Sequence, residues 1–343
     1  MLDLHVVCKD VVRAQLDDAA SVLRIVEDAY RAHWEGKVVC PHSLFLRFPD
    51  SNNRIIALPS FVRTPDRALA GVKWISSFPG NVSIGLPRAS ALIVLNDAEN
   101  GLPIGVLEGS LISAARSGAF AAIAARTLLP AQSAIRVSLI GCGLIAASVL
   151  RYLSAALNVR DVIVFDVEED RARSFAASVD ALRPVVVAPS LAEAAAACDV
   201  LVFATTASVP YVHDAATLSS AKVVLHVSLR DISEHVIADF YNVTDDKDHV
   251  LRENTSLYRL ASVCPNKAAV DAELGDLLWG GVPLPTTGTT VVSPFGIGTL
   301  DVALGSAVFE CAVQLGQAVR VTEFFGQSDP STGGVTAALR TGV

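Results

Sequence analysis

The sequence predicts an α/β fold in two parts: a Rossmann-type parallel sheet in the middle of the chain, and an α+β part with a mostly antiparallel sheet built from the two ends. Three observations carry this. Residues 136–157 read as a buried strand, a Gly-Cys-Gly turn and a helix starting near Leu144. From residue 135 onward, short apolar runs alternate with alanine-rich segments of helical period, which implies parallel strands joined by helices. The first hundred residues instead read as one helix followed by strands separated by turn residues. The expected boundaries are 130–299 for the nucleotide-type domain, and 1–129 with 300–343 for a substrate-binding and dimerisation domain.

In the first part, Val, Leu and Ile recur at helical spacing over 10–35, and Asp17–Asp18 open a helix running to about Trp34. Residues 43–49 and 54–59 read as a hairpin around Asp50-Ser-Asn-Asn53. Further strands are expected at 69–76, 89–95 and 104–107. A helix rich in small residues follows over 110–129, with Ser110 as its N-cap and Pro130 as its stop. Its alanines and Gly118 make it thin enough to pack against two neighbours.

In the middle part, strands are expected near 137–140, 162–165, 185–187, 200–203 and 222–227, with helices over 145–157, 169–180 and 190–197. Gly141 permits a tight turn, Gly143 lets the backbone approach a pyrophosphate, and Ala146 lets the helix pack closely on the strand. The N–H groups at Leu144 and Ile145 then face the phosphates. Asp166 ends the next strand, 25 residues beyond Gly141, near the spacing at which a carboxylate accepts from a ribose hydroxyl. Its charge, with Glu168 and Glu169 beside it, favours NAD over NADP. Thr205 and Thr206 follow another strand at its carboxyl end, where ligands of open sheets sit. Ser228 and Gly296 complete the candidate cofactor contacts. A helix over about 299–320 returns the chain to the first part, and a mobile tail is expected from Gly326.

The charge balance, 35 acidic against 27 basic residues with no run of one sign, gives nucleic-acid binding little support. No apolar run is long enough for a bilayer, and Asp3, Lys9 and Asp10 break any apolar leader core. A soluble, cytoplasmic protein is expected. The six cysteines have no metal-ligand spacing, most sit in apolar surroundings as expected buried thiols, and no metal site is predicted. Lys73 lies inside an apolar strand, Arg47 and Arg88 are strand-associated, and Arg116 sits among small residues of the 110–129 helix. Together they can form a cationic pocket for carboxylates, although a solvent-facing or salt-bridging role is equally ordinary for each. Asp231 follows a buried strand and can act as an acid/base, or serve as a turn carboxylate. His226 reads as a satisfied core histidine.

Gly71-Val-Lys-Trp, Asn100-Gly-Leu-Pro, Ala114-Ala-Arg-Ser-Gly-Ala, Gly141-Cys-Gly and the Asp231 segment resemble the ornithine cyclodeaminase/mu-crystallin family over nearly the whole chain. Phe45-Leu-Arg-Phe, Lys73-Trp-Ile-Ser-Ser-Phe-Pro-Gly-Asn, Leu107-Glu-Gly-Ser-Leu-Ile-Ser-Ala-Ala-Arg116 and His226-Val-Ser-Leu-Arg-Asp resemble its siderophore-pathway branch. That branch contains NAD-dependent dehydrogenases of N-(1-amino-1-carboxy-2-ethyl)-glutamate, which release 2-oxoglutarate and L-2,3-diaminopropionate. The resemblance implies that Arg47, Lys73 and Arg116 bind substrate carboxylate, that Asp231 is the acid/base with Lys73 as a second candidate, and that the protein is a homodimer. Ser117 stands where the family usually has Thr. An ornithine cyclodeaminase, a ketimine reductase or alanine-type dehydrogenase, and a non-catalytic crystallin-like NAD-binding protein remain as alternatives.

Overall fold

The computed structural model describes residues 3–63, 68–130, 134–179, 184–196 and 198–326. Its first sheet runs Val319–Val321, Leu4–Val7, Pro103–Glu108, Ala89–Asn96, Ala68–Ser77, Arg54–Arg63, Val38–Val39, with Leu44–Arg47 also on Arg54–Arg63. Every pairing is antiparallel except that of Leu4–Val7 with Pro103–Glu108. Its residues alternate in burial because side chains on a strand alternate in face. Lys73 is 2% exposed while Trp74, its neighbour, is 45% exposed.

The second sheet is wholly parallel, ordered Val185–Val187, Val159–Phe165, Ile135–Ile140, Val200–Phe203, Val223–His226, Thr290–Val292, Tyr241–Thr244, Ala272–Glu273. Val200–Phe203 and Val223–His226 are buried throughout, as strands covered on both faces must be. From Ile135–Ile140 the chain winds outward to one side, and from Val200–Phe203 to the other. The crevice between these two strands is the switch point of the sheet.

Three helices join the parts. Ala19–Trp34 is capped by Asp18, whose carboxylate accepts from the Ser21 N–H at 3.1 Å. Ser110–Leu128 packs against Leu144–Ala156 so closely that a Cβ at Gly118 would lie 2.6 Å from the Ser148 carbonyl oxygen. The Ser148 hydroxyl donates to the Ala114 carbonyl across the same crossing at 2.8 Å. Gly298–Gln314 returns to the first sheet, where Ser60 and Thr299 hydroxyls meet at 3.0 Å.

Several expectations need correction. Ser110 is not a cap: Gly109 occupies that position, and the Glu108 carboxylate accepts from the Ser110 and Leu111 N–H groups at 2.9 and 3.2 Å. The Ser110 hydroxyl instead accepts from the Ala91 N–H at 3.1 Å. The last helix ends at Gln314, not near 320, because Gly316 turns left-handed and Val319–Val321 joins the sheet edge. All six cysteines are free, but only Cys142 and Cys198 are buried. The expected tail from Gly326 falls almost wholly outside the described residues. No described helix is long and apolar enough to cross a membrane, and no described cluster has a metal-holding set.

Candidate active site

The nucleotide turn is built by steric necessity. Gly141 has φ +94°, and a Cβ there would lie 2.7 Å from the Ala204 carbonyl oxygen, so only glycine fits. At Gly143 a Cβ would meet nothing within 4 Å, which leaves the backbone open to a ligand. Ala146 is fully buried. Leu144 starts the helix half-exposed, and Ile145 faces the neighbouring cleft. Asp166 follows the strand Val159–Phe165, and its carboxylate accepts from the Cys142 and Glu168 N–H groups at 2.9 and 3.0 Å. Oδ1 also faces Arg171 at 3.6 Å, while Oδ2 keeps a lone pair for a ribose hydroxyl. An open glycine backbone, a helix N-terminus and a carboxylate beside them fit a dinucleotide.

Beyond the strand ends lies an open cleft of about 700 Å³. The sequence candidates Arg47, Lys73, Arg88, Arg116, Ile145, Thr205, Thr206, Ser228 and Gly296 all line it. Gly141, Gly143, Leu144, Asp166 and Asp231 do not, although the Gly141 turn abuts Ala204 and Thr205 on its wall.

Its inner wall holds a buried ion triad. Lys73 Nζ donates to Asp301 Oδ2 at 2.6 Å and to Ser113 Oγ at 3.1 Å, while Arg116 Nε meets Asp301 Oδ1 at 3.3 Å. Burial drives the Lys73 pKa down, Asp301 partly restores it and Arg116 lowers it again, leaving it at about 8. Gly296, at φ +93°, leaves room for the guanidinium: a Cβ there would lie 2.3 Å from Arg116 Nη1. Asp245, buried, holds that turn by accepting from the Phe295 and Gly296 N–H groups at 2.8 and 2.6 Å.

Its outer wall gathers arginines. Arg47 is exposed and pairs with Glu253 at 2.5 Å. Arg54, Arg88 and Arg230 stand near it, each with a pKa lowered first by burial and then by like charge, chiefly that of Arg54 or Arg47. The Nε atoms of Arg54 and Arg88 are buried, and no described residue accepts from them.

Asp231 is fully enclosed. Thr205 and Tyr211 donate to Oδ1, the latter at 3.0 Å; Ser228 donates to Oδ2, which also lies 3.2 Å from His226 Nε2. Burial alone raises its pKa, but the hydrogen bonds from His226, Ser228 and Thr205 outweigh it and hold it at about 2. His226 is buried and bonded on both ring nitrogens, the other facing Ser293 at 3.3 Å. Thr205 and Ser228, taken as cofactor contacts, thus spend their hydroxyls on Asp231 while lining the cleft.

Sequence reasoning missed Asp301, Arg54, Arg230 and Asp245. Asp301 had a signal: a carboxylate in the first turn of a strongly apolar helix. Arg54 had a weaker one, facing Arg47 across the hairpin.

A glycine turn at the switch point of a parallel sheet and a cationic cleft at the same strand ends define an NAD-dependent oxidoreductase. Residues 5–232 match the sequence profile of the ornithine cyclodeaminase/mu-crystallin family, and the chain belongs to that family. It is 28% identical over 319 residues to the N-((2S)-2-amino-2-carboxyethyl)-L-glutamate dehydrogenase of Staphylococcus aureus, spanning 89% of this chain and 94% of that protein. The crystal structure of CmnK is 30% identical and superposes with a TM-score of 0.82, covering 94% of this chain and 98% of that one. The Thermococcus litoralis Delta(1)-pyrroline-2-carboxylate reductase, solved with NADH and L-proline, is 24% identical with a TM-score of 0.86, covering 93% and 100%. This last likeness is one of fold.

Proposed function

We propose that the protein oxidatively cleaves N-(1-amino-1-carboxy-2-ethyl)-L-glutamate to 2-oxoglutarate and L-2,3-diaminopropionate, a building block for siderophores or peptide antibiotics. The observation that carries this reading is the outer wall of arginines, facing one acid, Glu253. Alanine or proline brings one carboxylate, which Lys73 and Arg116 already suit. The aminocarboxyethyl-glutamate brings three. Two remain for the cleft-lining guanidinium groups of Arg54 and Arg88 and their neighbours, each charge-assisted bond contributing about 1.5–3 kcal/mol. The 28% identity to the Staphylococcus aureus enzyme, named for that substrate, supports the same choice.

NAD, when bound, supplies the acceptor for the hydride of the glutamyl Cα. The turn at Gly141–Gly143, the helix start at Leu144 and Asp166 would hold it. Lys73 and Arg116 fix the glutamyl α-carboxylate and so orient Cα–H. Water adds to the resulting C=N carbon, and the carbinolamine collapses to the keto acid and the free amine. Asp231 is the proton acceptor in this scheme. Because its carboxylate is enclosed, the proton reaches it through the cleft-lining hydroxyls of Thr205 and Ser228.

The working unit in this reading is a homodimer. Leu44, Ala57, Trp74 and Leu92 stand side by side across four strands, and Leu44, Trp74 and Leu92 are 71%, 45% and 48% exposed. Such an apolar row supports an interface at this face.

The test is to incubate purified protein with NAD and the aminocarboxyethyl-glutamate, following NADH absorbance and diaminopropionate. Absence of both products refutes the proposal. Proline from ornithine without net NADH would instead identify a cyclodeaminase, net turnover of alanine or a cyclic imine a dehydrogenase or ketimine reductase, and NAD binding without turnover a crystallin-like protein.

A further inference from the structure

The C-terminal helix Gly298–Gln314 brings a single buried carboxylate into the cleft wall, and no motif of the nucleotide half accounts for it. Asp301 is fully enclosed, yet it sits between the two cations that face the substrate space. A buried carboxylate is tolerated only with partners. Here the partners are Lys73 and Arg116, one on each oxygen.

We propose that Asp301 is a positioning residue: it clamps Lys73 and Arg116 at a fixed separation, keeps Lys73 charged in the free enzyme, and leaves the pair with one net positive charge to receive one carboxylate. Lys73 has three N–H donors. Asp301 and Ser113 take two, which leaves the third for the cleft that Lys73 lines. Arg116 gives Nε to Asp301, which leaves its two terminal amino groups, both beside Gly296, for the same space. Without the clamp, two adjacent cations repel, and the buried ammonium is the one able to lose its charge, since arginine does not.

The charges around Lys73 are few. Helix Gly298–Gln314 contributes Asp301, and helix Ser110–Leu128 contributes Arg116 and the neutral Ser113. Its partners on the two neighbouring strands, Leu58 and Ile93, are apolar. Asp245, directly after strand Tyr241–Thr244, acts on Arg116 and accepts from the Gly296 N–H of the facing loop. Burial and Arg116 push the Lys73 pKa down, and Asp301 is the group holding it at about 8. A lysine there stays largely protonated at neutral pH yet can release a proton as pH rises.

The inference rests on reading this cleft as the active site, but not on the identity of the substrate. It is tested on the full chain by competitive acetylation of Lys73 with trace acetic anhydride across neutral and alkaline pH, read by mass spectrometry. The expected wild-type midpoint is about 8, against about 10.4 for a free lysine. In the near-isosteric Asp301→Asn, the midpoint falls by about 1–3 units, the effect of removing an opposite charge in contact. NAD affinity stays unchanged, and 2-oxoglutarate binding to the NADH complex weakens at least tenfold. An unchanged midpoint in Asp301→Asn overturns the proposal. So does a wild-type midpoint near the free value, which needs no variant to fold. A shifted midpoint with no 2-oxoglutarate binding supports the positioning role while refuting the proposed substrate. Tight 2-oxoglutarate binding with an unshifted midpoint does the reverse.

Discussion

Gly118→Ala sets two effects of known sign against each other. In the interior of a helix, alanine is favoured over glycine by about 1 kcal/mol, and Gly118 lies mid-way along the helix Ser110–Leu128. Propensity alone therefore predicts a more stable protein. The added Cβ, however, would lie 2.6, 2.7 and 2.8 Å from the Ser148 carbonyl oxygen, carbonyl carbon and hydroxyl. Ordinary contact begins near 3.4 Å, so the shortfall is about 0.8 Å. Two of the three atoms are backbone of helix Leu144–Ala156 and cannot swing away. The helices must separate, at about 1–3 kcal/mol for overpacking. Separation also weakens the Ser148–Ala114 hydrogen bond, now 2.8 Å, by about 1 kcal/mol. The steric side wins, and a net loss of about 1–3 kcal/mol is expected. Gly305→Ala is the control. The nearest atoms to its Cβ would be side-chain methyls, those of Ile93 at 3.3 and 3.4 Å and that of Ile112 at 4.0 Å, and the change is expected to be neutral or stabilising. Urea unfolding of both variants measures the difference. NAD titration adds a second readout, because the displaced helix begins at the Gly141–Gly143 turn. Equal or greater stability for Gly118→Ala would refute the reasoning.

Other predictions follow from the same geometry. Arg54→Met and Arg88→Met each raise KM for the aminocarboxyethyl-glutamate by about 10–100-fold, from the loss of a charge-assisted bond, with NAD affinity intact; unchanged KM in both removes the outer wall from substrate binding. His249 faces Asp246 at 3.0 Å. Burial lowers its pKa, but the Asp246 carboxylate beside it and Cys40 raise it from 6.5 to about 10. A raised folded pKa gives stability that is complete below 6.5 and disappears as pH climbs through about 10. The Tm advantage of wild type over His249→Gln is therefore expected to shrink across that window, and a pH-independent difference would contradict the pairing. Trp74→Glu, in the exposed apolar row, is expected to yield monomers by analytical ultracentrifugation; a protein monomeric before the change would remove the dimer from the proposal.

The nucleotide half was legible because parallel strands buried on both faces must be apolar without interruption. Val200–Phe203 and Val223–His226 lie where their apolar runs place them. Tyr241–Thr244 and Ala272–Glu273 escaped, since the first buries Asn242 and Thr244 and the second has two residues. The exposed edge strand Val319–Val321 was read as helix, although Gly316 is the stop signal a helix end commonly carries. Of the site, Lys73 and Arg116 were singled out as charges in unusual company, and the resemblance gave them a role. Asp301 was invisible because its meaning is tertiary: a carboxylate 185 residues from Arg116 gains its purpose only when the last helix docks.

That docking dictates when the protein can mature. Leu4–Val7 pairs with Val319–Val321, and the counter-charge of Lys73 arrives at residue 301. Every residue of the parallel sheet is made between these partners. At about 5–20 residues per second, residues 130–320 take on the order of 10–40 s to emerge. Throughout that interval the nascent antiparallel sheet lacks an edge and Lys73 has no carboxylate, so burying the ammonium is unfavourable. The middle of the chain can close its own sheet first. The segment made earliest is thus completed last, and substrate recognition becomes a property of the finished polypeptide rather than of any co-translational intermediate.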